Sequence, residues 1–393
     1  MLNYLWVALL IALSKELTAA ANAQSDVPLL LPSESDAFPR IQRCPAADPR
    51  LNYRPVIGIL SHPGDGASGR LNNATNASYI AASYVKFVES AGARVIPLIY
   101  NEPRKILYEK LNLVNGMLFT GGWAKSGLYF EVVESIFKNV LSKNDAGDHF
   151  PLLAICLGFE LLTMAVSQDN NILEKFNAAD QASTLQFTRN IDINGTVFQS
   201  YFGFFTCVFR GSNFESLSSI PTILDILVSC LVYFTVVPSG FAKEADPLFL
   251  ITAVMGPTGP TVPSTLDCKI LYGISPEKFL KDGKLCSFFE ILTTSEDTDN
   301  KVYVSTVKAH RYPVTAVQWH PEKNAFEWGL SMIPHSDDAI QVTQHVANYF
   351  IGEARKSMNR PCARKVLDNL IYNYSPTYCG KAGKGYDEVY IFA

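Results

Sequence analysis

Between residues 56 and 162 short apolar runs alternate with stretches of helical spacing, and that alternation leaves the chain very few architectures. Val56 to Leu60 is β-branched and almost continuously apolar, Arg94 to Ile99 and Gly116 to Thr120 read the same way, and Leu152 to Ile155 closes the series. Between them lie Asn76 to Ala91, with Ile80, Tyr84, Phe87 and Val88 at helical spacing and a stop at Gly92, then about Arg104 to Leu111, then Leu128 to Leu141. Strands apolar on both faces and separated by helices form a parallel sheet covered on both sides. The expected fold is therefore α/β, a mostly parallel central sheet with helices on both faces. Sheets of this kind bind ligands at the carboxyl ends of their strands.

Two of those ends carry chemistry. In Pro151-Leu-Leu-Ala-Ile-Cys156-Leu-Gly158 a strand runs into a cysteine, and Leu157, Leu161, Leu162 and Ala165 continue at helical spacing. A thiol at such a turn sits at a helix amino terminus, where unsatisfied N–H groups and the helix dipole favour thiolate. A lone cysteine at a strand end is more often a packed thiol, so a partner has to decide. It lies far downstream, in Pro313-Val-Thr-Ala-Val-Gln-Trp-His320-Pro-Glu322. Val314 to Trp319 reads as a strand, paired with Val302 to Val307. Residues i and i+2 share a side of an extended chain, which lets Glu322 reach the ring of His320. Cysteine, histidine and an orienting carboxylate are the parts of a nucleophilic triad. No zinc spacing and no phosphate-binding glycine loop is present, so neither metal nor cofactor is expected.

With 393 residues, 48% hydrophobic and 18% charged, the chain can bury a large core in one big domain or two smaller ones. A formal net charge of -4 and the lack of a basic cluster interleaved with aromatics argue against nucleic acid as a partner. Leu2 to Leu13 form an apolar stretch followed by Ala21-Asn22-Ala23, small residues of the kind a signal peptidase reads, so residues 1–23 are expected to be a signal peptide. About a dozen apolar residues fall short of the ~20 that span a bilayer, and no membrane span is expected once the peptide is removed. Residues 24–53, rich in Pro, Ser and Asp, read as an arm with no core of its own. A secretory route predicts glycosylation at Asn73, Asn76, Asn194 and Asn373, each opening an Asn-x-Ser/Thr triplet. It also permits disulfides among the eight cysteines, with connectivity open.

The Cys156-Leu-Gly-Phe-Glu160 elbow, Phe119-Thr-Gly-Gly-Trp123 and Gln318-Trp-His-Pro-Glu322 together resemble gamma-glutamyl hydrolase, the folate polyglutamate hydrolase, in its plant type. The resemblance covers residues 54 to about 199 and 272 to 393. That family lies within the class I glutamine amidotransferase-like group, which implies a flavodoxin-like core. The resemblance implies that Cys156 attacks the carbonyl of a γ-glutamyl amide in a folate polyglutamate, giving a thioester that water hydrolyses. His320 would take the thiol proton and hand it to the leaving amine while Glu322 holds the imidazole tautomer. The backbone amides of Leu157, Gly122 and Trp123 are the expected oxyanion donors. His62 at the end of the first strand, Gly121 and Glu160 are candidates to line the substrate site, with a solvated or capping carboxylate an equal reading of Glu160. A catalytic domain over 54–355, a C-terminal extension over 356–393, a vacuolar or extracellular location and a homodimer are all compatible with the resemblance. Tyr372 to Tyr386 reads as a loop wrapping the domain, tied down by Cys379.

Residues 200–271 fit this scheme worst. Ile226 to Val237 is an apolar run flanked by Asp225 and Pro238, and Gly256 to Pro263 is broken by Gly and Pro. The family pattern implies a histidine just before Tyr272-Gly-Ile-Ser-Pro276, where Lys269, Ile270 and Leu271 stand. The segment is read as a splice-variant or translated non-coding insert. Two alternatives to a hydrolase follow: a catalytically impaired ligand-binding relative, favoured by this segment, and an amidotransferase glutaminase, disfavoured by the signal peptide.

Overall fold

The computed structural model describes residues 47–66, 76–178, 181–189, 191–199, 252–255, 271–379 and 386–393. Pro49 to Ala393 form one compact unit. The expected signal peptide, Asn73, the apolar run at 226–237 and Lys269 and Ile270 lie outside the described residues, as does most of the expected arm.

An eight-stranded sheet organises the unit. Its order is Arg94–Leu98, Val56–Leu60, Gly116–Phe119, Leu152–Ile155, Val314–Val317, Val302–Ala309, Phe289–Glu296 and Gln186–Phe187. The first five strands are parallel and the last three antiparallel. In chain order the parallel strands run 2-1-3-4-5, the flavodoxin-like arrangement. The near-continuous apolar runs are explained by their two faces. Ile57, Ile59, Leu153 and Ile155 pack with helices Ala82–Ser90 and Asp337–Ala354. Val56, Leu60, Leu152 and Ala154 pack on the opposite side with helices Arg104–Leu111, Gly127–Asp145 and Leu157–Ser167. Each fully buried Val, Leu, Ile or Phe contributes roughly 1.5–3 kcal/mol of transfer free energy, so a strand apolar on both faces has no stable home at a wet surface.

A second, antiparallel sheet was not legible in the sequence. It orders Thr377–Tyr378, Glu388–Phe392, Ser78–Ala81 and His62–Pro63. The expected helix over Asn76 to Ala91 consequently begins only at Ala82, because Ser78–Ala81 finds a strand partner in Phe392–Val389. The C-terminal strand is therefore part of the same unit. Cys379 is buried there, and among the described residues it forms no disulfide. The strand expected over Val314 to Trp319 ends at Val317. Within the atypical segment, Thr252–Met255 pairs with Gln181–Thr184, and Leu271–Gly273 pairs with Glu174–Phe176. Among the described residues no helix is long and apolar enough to cross a membrane.

Candidate active site

The carboxyl ends of four adjacent parallel strands converge, each supplying one part of the site. Strand Val56–Leu60 leads to His62, Gly116–Phe119 to Gly121-Gly122, Leu152–Ile155 to Cys156 and Val314–Val317 to His320. The first two flank the point where strand order reverses, the ligand crevice of an open α/β sheet.

Cys156 is the sharpest feature. Its φ is 54° and ψ -106°, a conformation disfavoured for any side-chain-bearing residue, and it serves as the N-cap of helix Leu157–Ser167. Such strain, of order 1–3 kcal/mol, persists only where surroundings impose it. Here the Cys156 amide donates to Val317 O at 2.8 Å and its carbonyl accepts from Glu160 at 3.1 Å. Gly158 makes the bend possible, since a Cβ there would lie 2.9 Å from both the carbonyl oxygen and Cβ of Phe119. A strained strand-to-helix elbow of this kind projects its nucleophile at the top of a sheet.

His320 and Glu322 are fully buried, with His320 Nδ1 2.7 Å from Glu322 Oε1. The pair is made by a turn and not by an extended strand: Glu322 adopts helical φ and ψ of -74° and -23°. The turn is clamped from outside, as Thr343 Oγ1 donates to Pro321 O at 2.6 Å and Asn324 Nδ2 donates to Ala339 O at 3.2 Å. Tyr84 and Tyr386, both buried, face Cys156 and Glu322, and burial pushes their hydroxyl pKa values well above the ordinary tyrosine range.

The glycine turn differs from expectation. The Trp123 amide, expected as an oxyanion donor, donates to His62 Nε2 at 3.0 Å, and the Ala124 amide donates to the same nitrogen at 3.2 Å. His62, expected to line the substrate site, is buried and serves that turn. The Gly121 amide, another substrate-site candidate, donates to the Tyr84 hydroxyl at 2.8 Å. Glu160 is neither solvated nor a cap: it is buried, 2.9 Å from Lys125 Nζ, and Gln318 Nε2 lies 3.5 Å away. Burial outweighs these partners and raises its pKa. Lys125 also lies over the Tyr272 ring, 4.4 Å from its centroid. Beside it a cavity of about 490 Å³ is lined by Lys125, Phe130, Met164, Leu173 and Tyr272. A larger cavity, about 550 Å³, lies beside His310 and Pro313, at the opposite ends of the strands from the thiol.

Tyr84, Tyr386 and Lys125 escaped the sequence reading. Tyr84 was indistinguishable from a core residue of its helix, and Tyr386 stands 230 residues from Cys156 in a stretch read as loop. Of the glycosylation candidates, Asn76, Asn194 and Asn373 are exposed.

A flavodoxin-like sheet with this strand order and a nucleophile-type elbow after its fourth strand defines an α/β protein whose candidate nucleophile stands at the carboxyl edge of the parallel strands. Residues 55–200 match the Peptidase C26 family. The chain is 52% identical over 398 residues to Gamma-glutamyl hydrolase 2 of Arabidopsis thaliana, covering 100% of this chain and 98% of that protein. It is 55% identical over 366 residues to Gamma-glutamyl hydrolase 1 of the same plant, covering 93% and 90%. It is 30% identical over 344 residues to Gamma-glutamyl hydrolase of Homo sapiens, covering 86% and 90%. The chain belongs to the gamma-glutamyl hydrolase family.

Proposed function

We propose that this chain hydrolyses the γ-glutamyl bonds of folate polyglutamates, with Cys156 as nucleophile, His320 as acid and base, and Glu322 orienting the histidine. The observation that carries the reading is the strained, buried Cys156 elbow on the strand beside the buried His320–Glu322 pair. The gamma-glutamyl hydrolase relatives support the γ-glutamyl bond as the target, and the motif resemblance to the folate polyglutamate hydrolase supports folate polyglutamates as its carrier.

The Cys156 thiol proton passes to His320 Nε2, and the thiolate attacks the γ-carbonyl carbon. The resulting oxyanion is held by the amides of Leu157 and Gly122. As the tetrahedral intermediate collapses, His320 gives its proton to the departing amine, which becomes the α-amino group of the released glutamate. Water then enters, His320 takes one of its protons, and the hydroxide attacks the thioester. Collapse of that intermediate releases the carboxyl group and returns the proton to sulfur. Throughout, Glu322 Oε1 accepts from His320 Nδ1–H, which fixes the tautomer and stabilises the imidazolium.

Entry to the secretory pathway is supported by Leu2 to Leu13 and the Ala21-Asn22-Ala23 site, and a vacuolar or extracellular destination is the corresponding location. The test is incubation of the purified full chain with a polyglutamylated folate, with product chain length read by chromatography. Cys156→Ala should lower the rate by at least about 10³-fold. Absence of chain shortening by the native chain, or shortening unaffected by that substitution, would sink the reading.

A further inference from the structure

We propose that His62 and Tyr84 are positioning residues that hold the glycine turn in its working conformation, so that the Gly122 amide has one fixed orientation. The proposal rests on the reading above, in which Gly122 is an oxyanion donor, and assigns the device that makes it one.

A turn of two adjacent glycines is the least constrained backbone in a protein. Either peptide plane can rotate without a side-chain clash, and rotation of the Gly121–Gly122 plane would exchange an N–H for a carbonyl at the oxyanion position. Residues Thr120 to Ala124 belong to no helix or strand that would prevent this. Side chains from elsewhere do so instead. On one side of that plane the Gly121 amide donates to Tyr84 Oη at 2.8 Å. On the other side the Trp123 and Ala124 amides converge on His62 Nε2 at 3.0 and 3.2 Å. With both neighbouring planes held, the Cα atoms of Gly121 and Gly122 keep their places, and the plane between them can turn only by counter-rotation about Gly121 ψ and Gly122 φ. The imidazole also forms the floor of the turn. Gly122 has φ +154°, and a Cβ there would meet His62 Cδ2 at 2.2 Å and Nε2 at 2.4 Å. Only glycine lets the ring approach so closely.

His62 is built to accept and not to donate at Nε2. Its Nδ1 lies 2.8 Å from the Pro63 carbonyl, which requires the proton on Nδ1 and leaves the Nε2 lone pair for the two amides. The ring is enclosed edge-on by Tyr79, Trp123 and Tyr129, at centroid distances of 5.4, 5.3 and 5.1 Å. Protonation of Nε2 would put a donor against two donors. Burial, aided by the Lys125 charge, pushes the pKa down to about 3, so the acceptor survives in acidic compartments. Tyr84 contributes the matching group from the other side and keeps its proton because burial and the nearby Glu322 raise its pKa. Preorganised donors of this kind act without reorganisation during the reaction, and loss of one donor costs about 10²–10³ in kcat.

The test compares the full-length chain with His62→Leu, His62→Gln and Tyr84→Phe. Active thiol is counted by alkylation of Cys156 with iodoacetamide, a reaction that forms no oxyanion. Per titrated thiol, His62→Leu should lower kcat on a polyglutamylated folate by about 10²-fold with KM little changed. His62→Gln, whose amide oxygen can accept near the Nε2 position, should recover much of that loss. Tyr84→Phe, nearly isosteric and so the safer variant for folding, should lower kcat about tenfold through one lost hydrogen bond. Unchanged kcat per titrated thiol in His62→Leu and Tyr84→Phe would overturn the proposal, leaving both residues as mere packing. So would equal losses in His62→Leu and His62→Gln. Chain shortening that survives Cys156→Ala would instead sink the nucleophile reading, and that result is visible before either positioning variant is assayed.

Discussion

The two sheets contribute to the crevice in different ways. The parallel half of the large sheet delivers Cys156, Gly122 and His320 from the ends of three adjacent strands, each inside a recognisable run of sequence. The small antiparallel sheet joins His62–Pro63, Ser78–Ala81 and Glu388–Phe392, pieces separated by more than 300 residues, and brings His62 and, next to its strands, Tyr84 and Tyr386 to the same place. The large sheet carries the reactive groups together with the carboxylate that orients His320, and the small sheet carries groups that hold the glycine turn and flank the thiol. A fold can thus advertise its chemistry locally while hiding the parts that make the chemistry precise.

If the division is right, the largest losses follow changes at the parallel strand ends. Glu322→Gln keeps the size of the side chain but offers His320 an amide that stabilises the wrong tautomer or none. The expected loss is about 10³–10⁴ in kcat, measured on a polyglutamylated folate, with the folded state intact by circular dichroism. A loss below tenfold would mean that His320 does not depend on this carboxylate. Gly122→Ala strikes where the two sheets meet, because the new methyl would occupy the space of the His62 ring. A kcat loss of about 10²-fold is expected. Pairing this substitution with His62→Leu in a double-mutant cycle should show strong non-additivity; simple additivity would separate the two sheets functionally.

The same division explains what could be read from the residues alone. Val56–Leu60, Arg104–Leu111 and Leu152–Ile155 follow their local patterns closely, since buried parallel strands and amphipathic helices each impose a periodicity on nearby residues. Cys156 and the His320–Glu322 spacing stood out for the same reason, although the pair meets through a turn and the i, i+2 strand argument gave the right neighbours by the wrong geometry. Ser78–Ala81 was read as helix because its strand partner lies at Glu388–Phe392, and no local pattern records a pairing over that distance. Trp123 was misjudged because its amide partner, His62, comes from another strand end, and nothing in Gly-Gly-Trp announces which amide is taken.

The remaining test concerns the small sheet's own attachment, where the expected effect is smallest. Glu327 is buried and accepts from the Asp387 amide at 2.7 Å, while Trp328 donates its amide to Asp387 Oδ2 at 2.5 Å, so this carboxyl pair ties the C-terminal strand to the body of the protein. Burial, with the nearby Asp387 charge adding to it and Lys323 opposing it, raises the Glu327 pKa from 4.5 to about 7. The unfolded chain titrates near 4.5, so between the two values the folded protein holds the extra proton. Stability from this group is fully present below about pH 4.5 and is lost as pH rises through about 7. Glu327→Gln mimics the protonated form at every pH. It should leave the acidic melting temperature nearly unchanged and stabilise the protein above pH 7 by on the order of 1–2 kcal/mol, less than full linkage allows because a buried carboxylate relaxes its surroundings. Melting curves recorded across that range decide it: a constant offset between the two proteins would show that Glu327 does not titrate there. A difference that opens between pH 5 and 8 would mark the C-terminal strand as held most firmly in acid, the condition under which His62 still accepts from its two amides.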